Sequence, residues 1–159
     1  MSRRALPTGD ELQFVIARVG EREIGLSITQ VERILRYEAP EAWPAAPSFV
    51  AGRIHYGDGR VPLVDLRTRA KLRPVLHEET RSMVLATEEL PMAVVVDQVK
   101  EVMRVDSRTI QPASGESGPG VPAEAVSGLV ERAGRRIAIV NAARLLTGAE
   151  RRELLEALK

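Results

Sequence analysis

The chain has 159 residues with 23 basic and 22 acidic side chains, and its net charge of +1 gives no large field to draw it to nucleic acid or anionic lipid. With 44% apolar residues it suits one domain or two small lobes sharing an interface, burying about 70% of the unfolded surface. It has no cysteine, which excludes disulfides, thiolate metal sites and thiol catalysis, and no segment approaches the roughly 18 apolar residues that span a bilayer, so the expectation is a soluble cytoplasmic protein.

Residues 1–10 carry Arg, Pro, Gly and Asp without periodicity and read as a mobile tail. Residues 12–19 read as a strand, with Phe14 and Ile16 on one face and Val15 and Ala17 on the other. Gly20-Glu21 turns the chain into a second strand, 23–26. Ser27 precedes Gln30 by the capping-box spacing, and Ile28, Val31 and Ile34/Leu35 follow at helical intervals. A short helical segment running into an extended piece is expected there. Residues 37–48 hold Pro40, Pro44 and Pro47 and read as a connection with no ladder of its own. Trp43 within it either covers the end of a core, the commoner fate of Trp, or anchors a partner. Gly57-Asp58-Gly59 then marks a tight reversal between strands at 53–56 and 60–66, one hairpin.

Residues 68–79 are polar and basic, a surface connection, and after them the pattern begins again. Residues 81–87 echo 14–18, and 91–104 overlay 23–36 without a gap, which places Gln98-Val99 on Gln30-Val31. The hairpin also returns in diluted form, with Gly128 on Gly52 and Asn141 on Asp65. Repeats at 11–67 and 81–146 within one domain, 11–147, imply two pseudo-equivalent β lobes. The continuously apolar run 137–140 reads as a strand buried on both faces between them. Residues 111–122, rich in Gly, Ser and Pro, read as a long flexible loop; no Gly-Lys-Ser/Thr follows its glycines, so it is no phosphate cradle. Thr147 and Glu150 repeat the capping-box spacing before a helix at 148–159, whose Leu154, Leu155 and Leu158 form a stripe expected to pack on the second lobe.

The search for chemistry returns mostly negatives. His55 and His77 stand on different segments without a second ligand at metal spacing, so each reads as a surface histidine and no metal or cofactor is expected. Asp65 and Asp97 both end apolar runs, as the two carboxylates of an aspartic dyad would, but neither is followed by Ser/Thr-Gly. Asp97 is expected instead to cap a helical turn, and Asp65 to accept backbone hydrogen bonds at a strand end. No Gly-x-Ser-x-Gly setting exists, and 3% aromatic residues argue against base stacking. One alternative of a different class stays open, a small β-barrel nucleic-acid-binding protein. Its basic footprint would be Arg3, Arg4, Arg67, Arg69, Lys71 and Arg73, residues that equally suit a solvated face.

Gly52-x-Ile54 followed by Val61-Pro-Leu-Val-Asp-Leu-Arg67, with Gln30-Val31-x-x-Ile34 before it and Val94-Val-Val-Asp97 and Val126-x-Gly128 after it, resembles the CheW-like family of chemotaxis coupling proteins from about Leu12 to Leu146. The resemblance implies an all-β fold of two pseudo-symmetric, five-stranded SH3-like barrels with short helical turns and a C-terminal helix. It also implies a non-enzymatic adaptor that couples the cytoplasmic tips of chemoreceptors to the regulatory domain of a CheA-type histidine kinase, recruited to membrane-associated receptor arrays without inserting in the membrane. Positions matching the family's receptor groove are Val31, Arg33, Gly52, Ile54, Ser82 and Met83; those matching its kinase-binding barrel ends are Leu35, Tyr37 and Trp43, with 111–122 near a second contact. The chain departs from the family pattern at Arg33, where Glu is usual, at the turn His55-Tyr56-Gly57-Asp58, where Asn-Leu-Arg-Gly is usual, at Gly25-Leu26-Ser27 for Ala-Leu-Pro, and at Asn141 for Asp. A divergent paralogue fits these changes, and Arg33 with Asp58 forms a candidate specificity pair in which both charges are exchanged.

Overall fold

A computed structural model describes residues 10–159; the expected tail lies outside the described residues except for Asp10. Ten strands follow in chain order: β1 Glu11–Val19, β2 Arg22–Ser27, β3 Val31–Arg36, β4 Gly52–Tyr56, β5 Gly59–Asp65, β6 Arg81–Leu85, β7 Met92–Val96, β8 Gln98–Asp106, β9 Val126–Arg132 and β10 Arg135–Val140. A one-turn helix, α1 Leu66–Arg69, a C-terminal helix, α2 Gly148–Ala157, and short 3₁₀ turns complete the described chain.

The strands form two five-stranded sheets, ordered β8-β1-β2-β10-β9 and β3-β6-β7-β5-β4. Each curls as a small SH3-like barrel around its own apolar cluster. Phe14, Ile16, Met103, Val130 and Ile137 fill the first; Ile54, Val61, Leu63, Val84 and Val95 fill the second. Because side chains alternate along a strand, the opposite faces are apolar too, and they pack the two sheets together. Val15, Ala17, Val19 and Leu26 of the first sheet meet Val64, Met83, Leu85, Val94 and Val96 of the second in a larger central cluster. Burial on both faces explains why β7 and residues 137–140 read as unbroken apolar runs.

The two sequence repeats do not coincide with the two sheets. The first repeat gives β1 and β2 to one sheet and β3, β4 and β5 to the other; the second gives β6 and β7 to the latter and β8, β9 and β10 to the former. Two parallel pairings, β2 with β10 and β5 with β7, stitch the repeats together. Neither repeat can therefore close a barrel alone.

Several local readings change. The helical segment after β2 is a single 3₁₀ turn, Ile28–Gln30, and Ser27 Oγ accepts from Thr29 N at 3.3 Å rather than from Gln30. The Gln30 amide crosses to the second repeat, donating to Asn141 Oδ1 at 3.0 Å and accepting from Ala142 N at 3.0 Å. Leu66 opens α1 instead of ending β5, with Asp65 Oδ1 accepting from Arg67 N at 2.9 Å, the backbone bond expected of it. Asp97 caps no helical turn, since β8 begins at the next residue. Loop 111–122 is anchored rather than free, with Gly118, Pro119 and Val121 buried. A Cβ on Gly120, at φ +74°, would sit 2.3 Å from Leu66 O, so only glycine lets the loop lie this close to α1. The capping box of α2 forms as read, Glu150 N donating to Thr147 Oγ1 at 3.1 Å and Thr147 N to Glu150 Oε1 at 2.9 Å. Leu154 and Leu155 enter the central cluster, so the helix seals the joint between both sheets; Leu158, past the helix end, is exposed.

A buried ionic cluster fixes the same joint. The Arg67 side chain is 4% exposed; its Nε and Nη2 donate to Asp65 at 3.0 Å each, and its Nη1 to Val75 O at 3.0 Å and Asp97 Oδ1 at 3.4 Å. Asp97 Oδ2 accepts from Gly20 N at 2.7 Å, and His77 Nε2 lies 3.4 Å from Oδ1. Burial works to raise the Asp97 carboxyl, but the Gly20 N–H, His77 and Arg67 together hold it below the usual carboxylate range.

Two stability predictions follow. Asp97 has a folded pKa below its unfolded value near 3.9, so its contribution is complete above that pH and is lost as pH falls through the folded value. Urea denaturation should show stability dropping below about pH 4, and Asp97→Asn should cost about 3–5 kcal/mol at neutral pH while flattening that acid limb. Ser82, 1% exposed, leaves its Oγ without a hydrogen-bond partner. Ser82→Ala removes a desolvated hydroxyl and should leave the urea midpoint unchanged or raise it, by up to about 1 kcal/mol.

Candidate protein-docking surfaces

The central cluster reaches the surface along two edge strands. On β3 a bulge at Glu32 places Val31 opposite Leu85 and Ile34 opposite Met83, so both side chains turn toward the other sheet. On β8 a bulge at Lys100 does the same, placing Val99 opposite Ala17 and Val102 opposite Val15. Val31 and Val99 pack partly against the central cluster, whereas Ile34 is 41% and Val102 58% exposed. Each sheet thus contributes one apolar border to the seam between them. Scattered exposed apolar residues need no explanation, but these four continue a core outward.

A second surface lies at the open end of the second barrel. Arg33, Leu35, Arg36, Tyr37, Glu38 and Tyr56 line an open cleft of about 530 Å³ between β3 and the β4–β5 hairpin. Leu35, Tyr37 and Tyr56 form its floor, packed on the barrel's own cluster. The Tyr56 hydroxyl donates a short hydrogen bond to Glu32 Oε2, and that bond, more than the burial that accompanies it, raises the phenol above its ordinary range.

The segment 37–48 makes one bridge to β4, Glu41 N donating to Arg53 O at 2.8 Å and Arg53 N to Glu41 O at 3.1 Å. Gly52 permits this approach: at φ +148°, its added Cβ would lie 2.3 Å from Glu41 O. The Glu41 carboxylate accepts from Arg60 Nε at 2.6 Å and lies 3.0 Å from His55 Nε2. Trp43 packs partly on the central cluster, with the Arg53 guanidinium 5.0 Å above its ring.

The candidate residues therefore separate. Val31 borders the seam, but Gly52, Ile54, Ser82 and Met83 are buried: Ile54 and Ser82 point into the second barrel, Met83 into the central cluster, and Gly52 lies under Glu41. Arg33 joins Leu35 and Tyr37 at the barrel end, while Trp43 lines neither surface. Among the described residues Arg33 and Asp58 form no ion pair, Asp58 being exposed in the hairpin turn. The basic footprint does not assemble, because Arg67 is buried and paired and Arg69 is held by Glu150 Oε2 and Gly120 O, both at 3.0 Å. Arg3 and Arg4 lie outside the described residues. Ile34 and Val102 are surface residues absent from the receptor-groove candidates, yet the repeat carried the signal: Gln30-Val31-Glu-Arg-Ile34 overlays Gln98-Val99-Lys-Glu-Val102.

Among the described residues no group of three or more His, Asp or Glu gathers as a metal site, and no helix is long and apolar enough to cross a membrane. The chain is 28% identical over 139 residues to the chemotaxis protein CheW of Klebsiella aerogenes, covering 87% of this chain and 83% of that protein. It is 27% identical over 109 residues to the chemotaxis protein CheW of Bacillus subtilis strain 168, covering 68% and 69%. The crystal structure of the scaffolding protein TtCheW from Thermoanaerobacter tengcongensis has the same fold, with a TM-score of 0.77 at 20% identity over 94% of this chain and 96% of that one. The family model of the CheW-like domain matches residues 13–150, nearly the whole length, and the chain belongs to the CheW-like family.

Proposed function

We propose that this protein is a non-enzymatic chemosensory adaptor, coupling the cytoplasmic tip of a chemoreceptor to the regulatory domain of a CheA-type histidine kinase within a membrane-associated receptor array. The observation that carries this reading is the paired apolar border of Val31, Ile34, Val99 and Val102 along the seam. Apolar borders contributed by two edge strands suit the amphipathic surface of a helical hairpin, which lays its apolar face against such a site. Family membership supports the chemotaxis context.

Ile34 and Val102 test the receptor contact cleanly because both are exposed. Ile34→Asp and Val102→Asp should each change stability by no more than about 0.5 kcal/mol. Each should also weaken binding to a receptor-tip fragment in a pull-down or titration by more than tenfold, a loss of about 1.4 kcal/mol or more. Unchanged affinity in both would remove the seam as the receptor site. Val31→Asp is less clean, since Val31 is half-buried against the core.

The kinase contact is assigned to the barrel end, through Leu35 and Tyr37, with Trp43 as the remaining candidate. Tyr37→Ala should weaken kinase binding while leaving receptor binding intact. Trp43→Ala should first lower the melting temperature, because Trp43 packs on the central cluster; loss of kinase binding without loss of stability would restore it as a contact.

A further inference from the structure

We infer that Tyr56 is a positioning residue for the seam: by holding Glu32 on the barrel side of β3, it sets which side chains that strand turns toward the seam. The inference rests on the assignment of the seam to the receptor tip and adds a residue that lies outside the seam and acts through another. Both ends of the segment are fixed. Gln30 O accepts from Ala86 N at 2.9 Å, and the Gln30 side-chain amide is tied to Asn141 and Ala142 at 3.0 Å each. At the other end Leu35 pairs with Ser82 and packs on the second-barrel cluster. Between these points the four residues Val31, Glu32, Arg33 and Ile34 face only three, Met83, Val84 and Leu85, so one of the four must go unpaired.

Which one it is decides the surface. Glu32 is the extra residue, and Val31 and Ile34 lie opposite Leu85 and Met83 of the central cluster. Were Val31 the extra residue, Glu32 would stand opposite Leu85 and carry a carboxylate onto the apolar border; were Ile34 the extra residue, Arg33 would stand opposite Met83 and carry a cation there. Among the described residues β3 is hydrogen-bonded only to β6, so no second ladder enforces the choice. The Tyr56 hydroxyl enforces it instead, donating to Glu32 Oε2 from the end of β4, the opposite edge of the same sheet. The repeat carries the same device on β8, where Glu23 Oε2 of β2 holds the extra residue, Lys100, at 3.1 Å and Val99 and Val102 face the seam. Two bulges related by the repeat, each with its extra residue tethered across its own sheet, make the tether part of how a border is built.

The experiment titrates a helical-hairpin receptor-tip fragment from the same organism against parent and variants, with circular dichroism and a urea midpoint for each, and records the amide chemical shifts of Val31 and Ile34 in the free proteins. Tyr56→Gln loses the ring but still donates to Glu32, and should keep most of the affinity. Tyr56→Glu, matched to it in size, sets two like charges against each other; it should turn Glu32 outward, move both amide shifts and weaken binding about tenfold or more. Tyr56→Glu with Glu32→Lys restores an attraction at the same place and should recover both the affinity and the shifts.

A Tyr56→Glu variant that binds the tip like the parent would overturn the inference. So would equal losses in Tyr56→Gln and Tyr56→Glu, since the ring alone would then matter, or a loss that the charge swap leaves in place. Parent protein that binds no receptor tip would remove the adaptor reading, and the shifts of the free proteins would then decide the positioning role alone: moved in Tyr56→Glu and restored by the swap they support it, unmoved they overturn it.

Discussion

The buried Arg67 guanidinium is the interaction on which the joint between the sheets depends. A charge this deep is tolerable only when its donors are met, and here Asp65, Asp97 and Val75 O meet them at 3.0 to 3.4 Å. Each partner comes from a different place: the end of β5, the end of β7, and the connector before β6. Asp97 then reaches Gly20 N in the β1–β2 turn, so one carboxylate bonds both sheets. Removing any member strands another beneath the surface, which makes the cluster a geometric constraint more than a source of net attraction.

That constraint matters because the repeats are interleaved. A duplicated chain whose copies each closed a barrel could tolerate a loose joint. In this chain β2 requires β10 and β5 requires β7, both parallel pairings between residues far apart in sequence. The Gln30–Asn141 amide bond and the close approach of Gly120 to Leu66 act at the same boundary. Folding the first repeat alone would leave β2 and β5 each without one of its two neighbouring strands.

Much of the fold was legible because it rests on local rules. Alternation gave β1, the Gly57-Asp58 reversal gave the β4–β5 hairpin, and Thr147 with Glu150 gave the start of α2. The interleaving was not legible, since parallel pairing across the chain leaves no local mark. The docking surfaces were less legible for a different reason. Matching to a family pattern pointed to Gly52, Ile54, Ser82 and Met83, and all four are buried. Exposure depends on which strands lie at an edge. Ile34 and Val102 are exposed because β3 and β8 are edge strands, and their i, i+3 spacing to Val31 and Val99, which reads as helical, is produced by a bulge.

That bulge gives β3 its particular place in the molecule. An unbroken strand would put Val31, Arg33 and Leu35 on one face. With Glu32 as the extra residue, Val31 and Ile34 face the seam while Arg33 and Leu35 face the second barrel. The Glu32 carboxylate is held by the Tyr56 hydroxyl across the barrel opening, so the residue that shifts the phase is itself fixed to the hairpin. Under the adaptor reading the two partners would then meet opposite faces of a single six-residue strand. Val31 and Leu35 pack partly against the central and second-barrel clusters, and β3 hydrogen-bonds to β6 alone. On that reading, one strand with a contact on each face would hold its two partners in a fixed relative register.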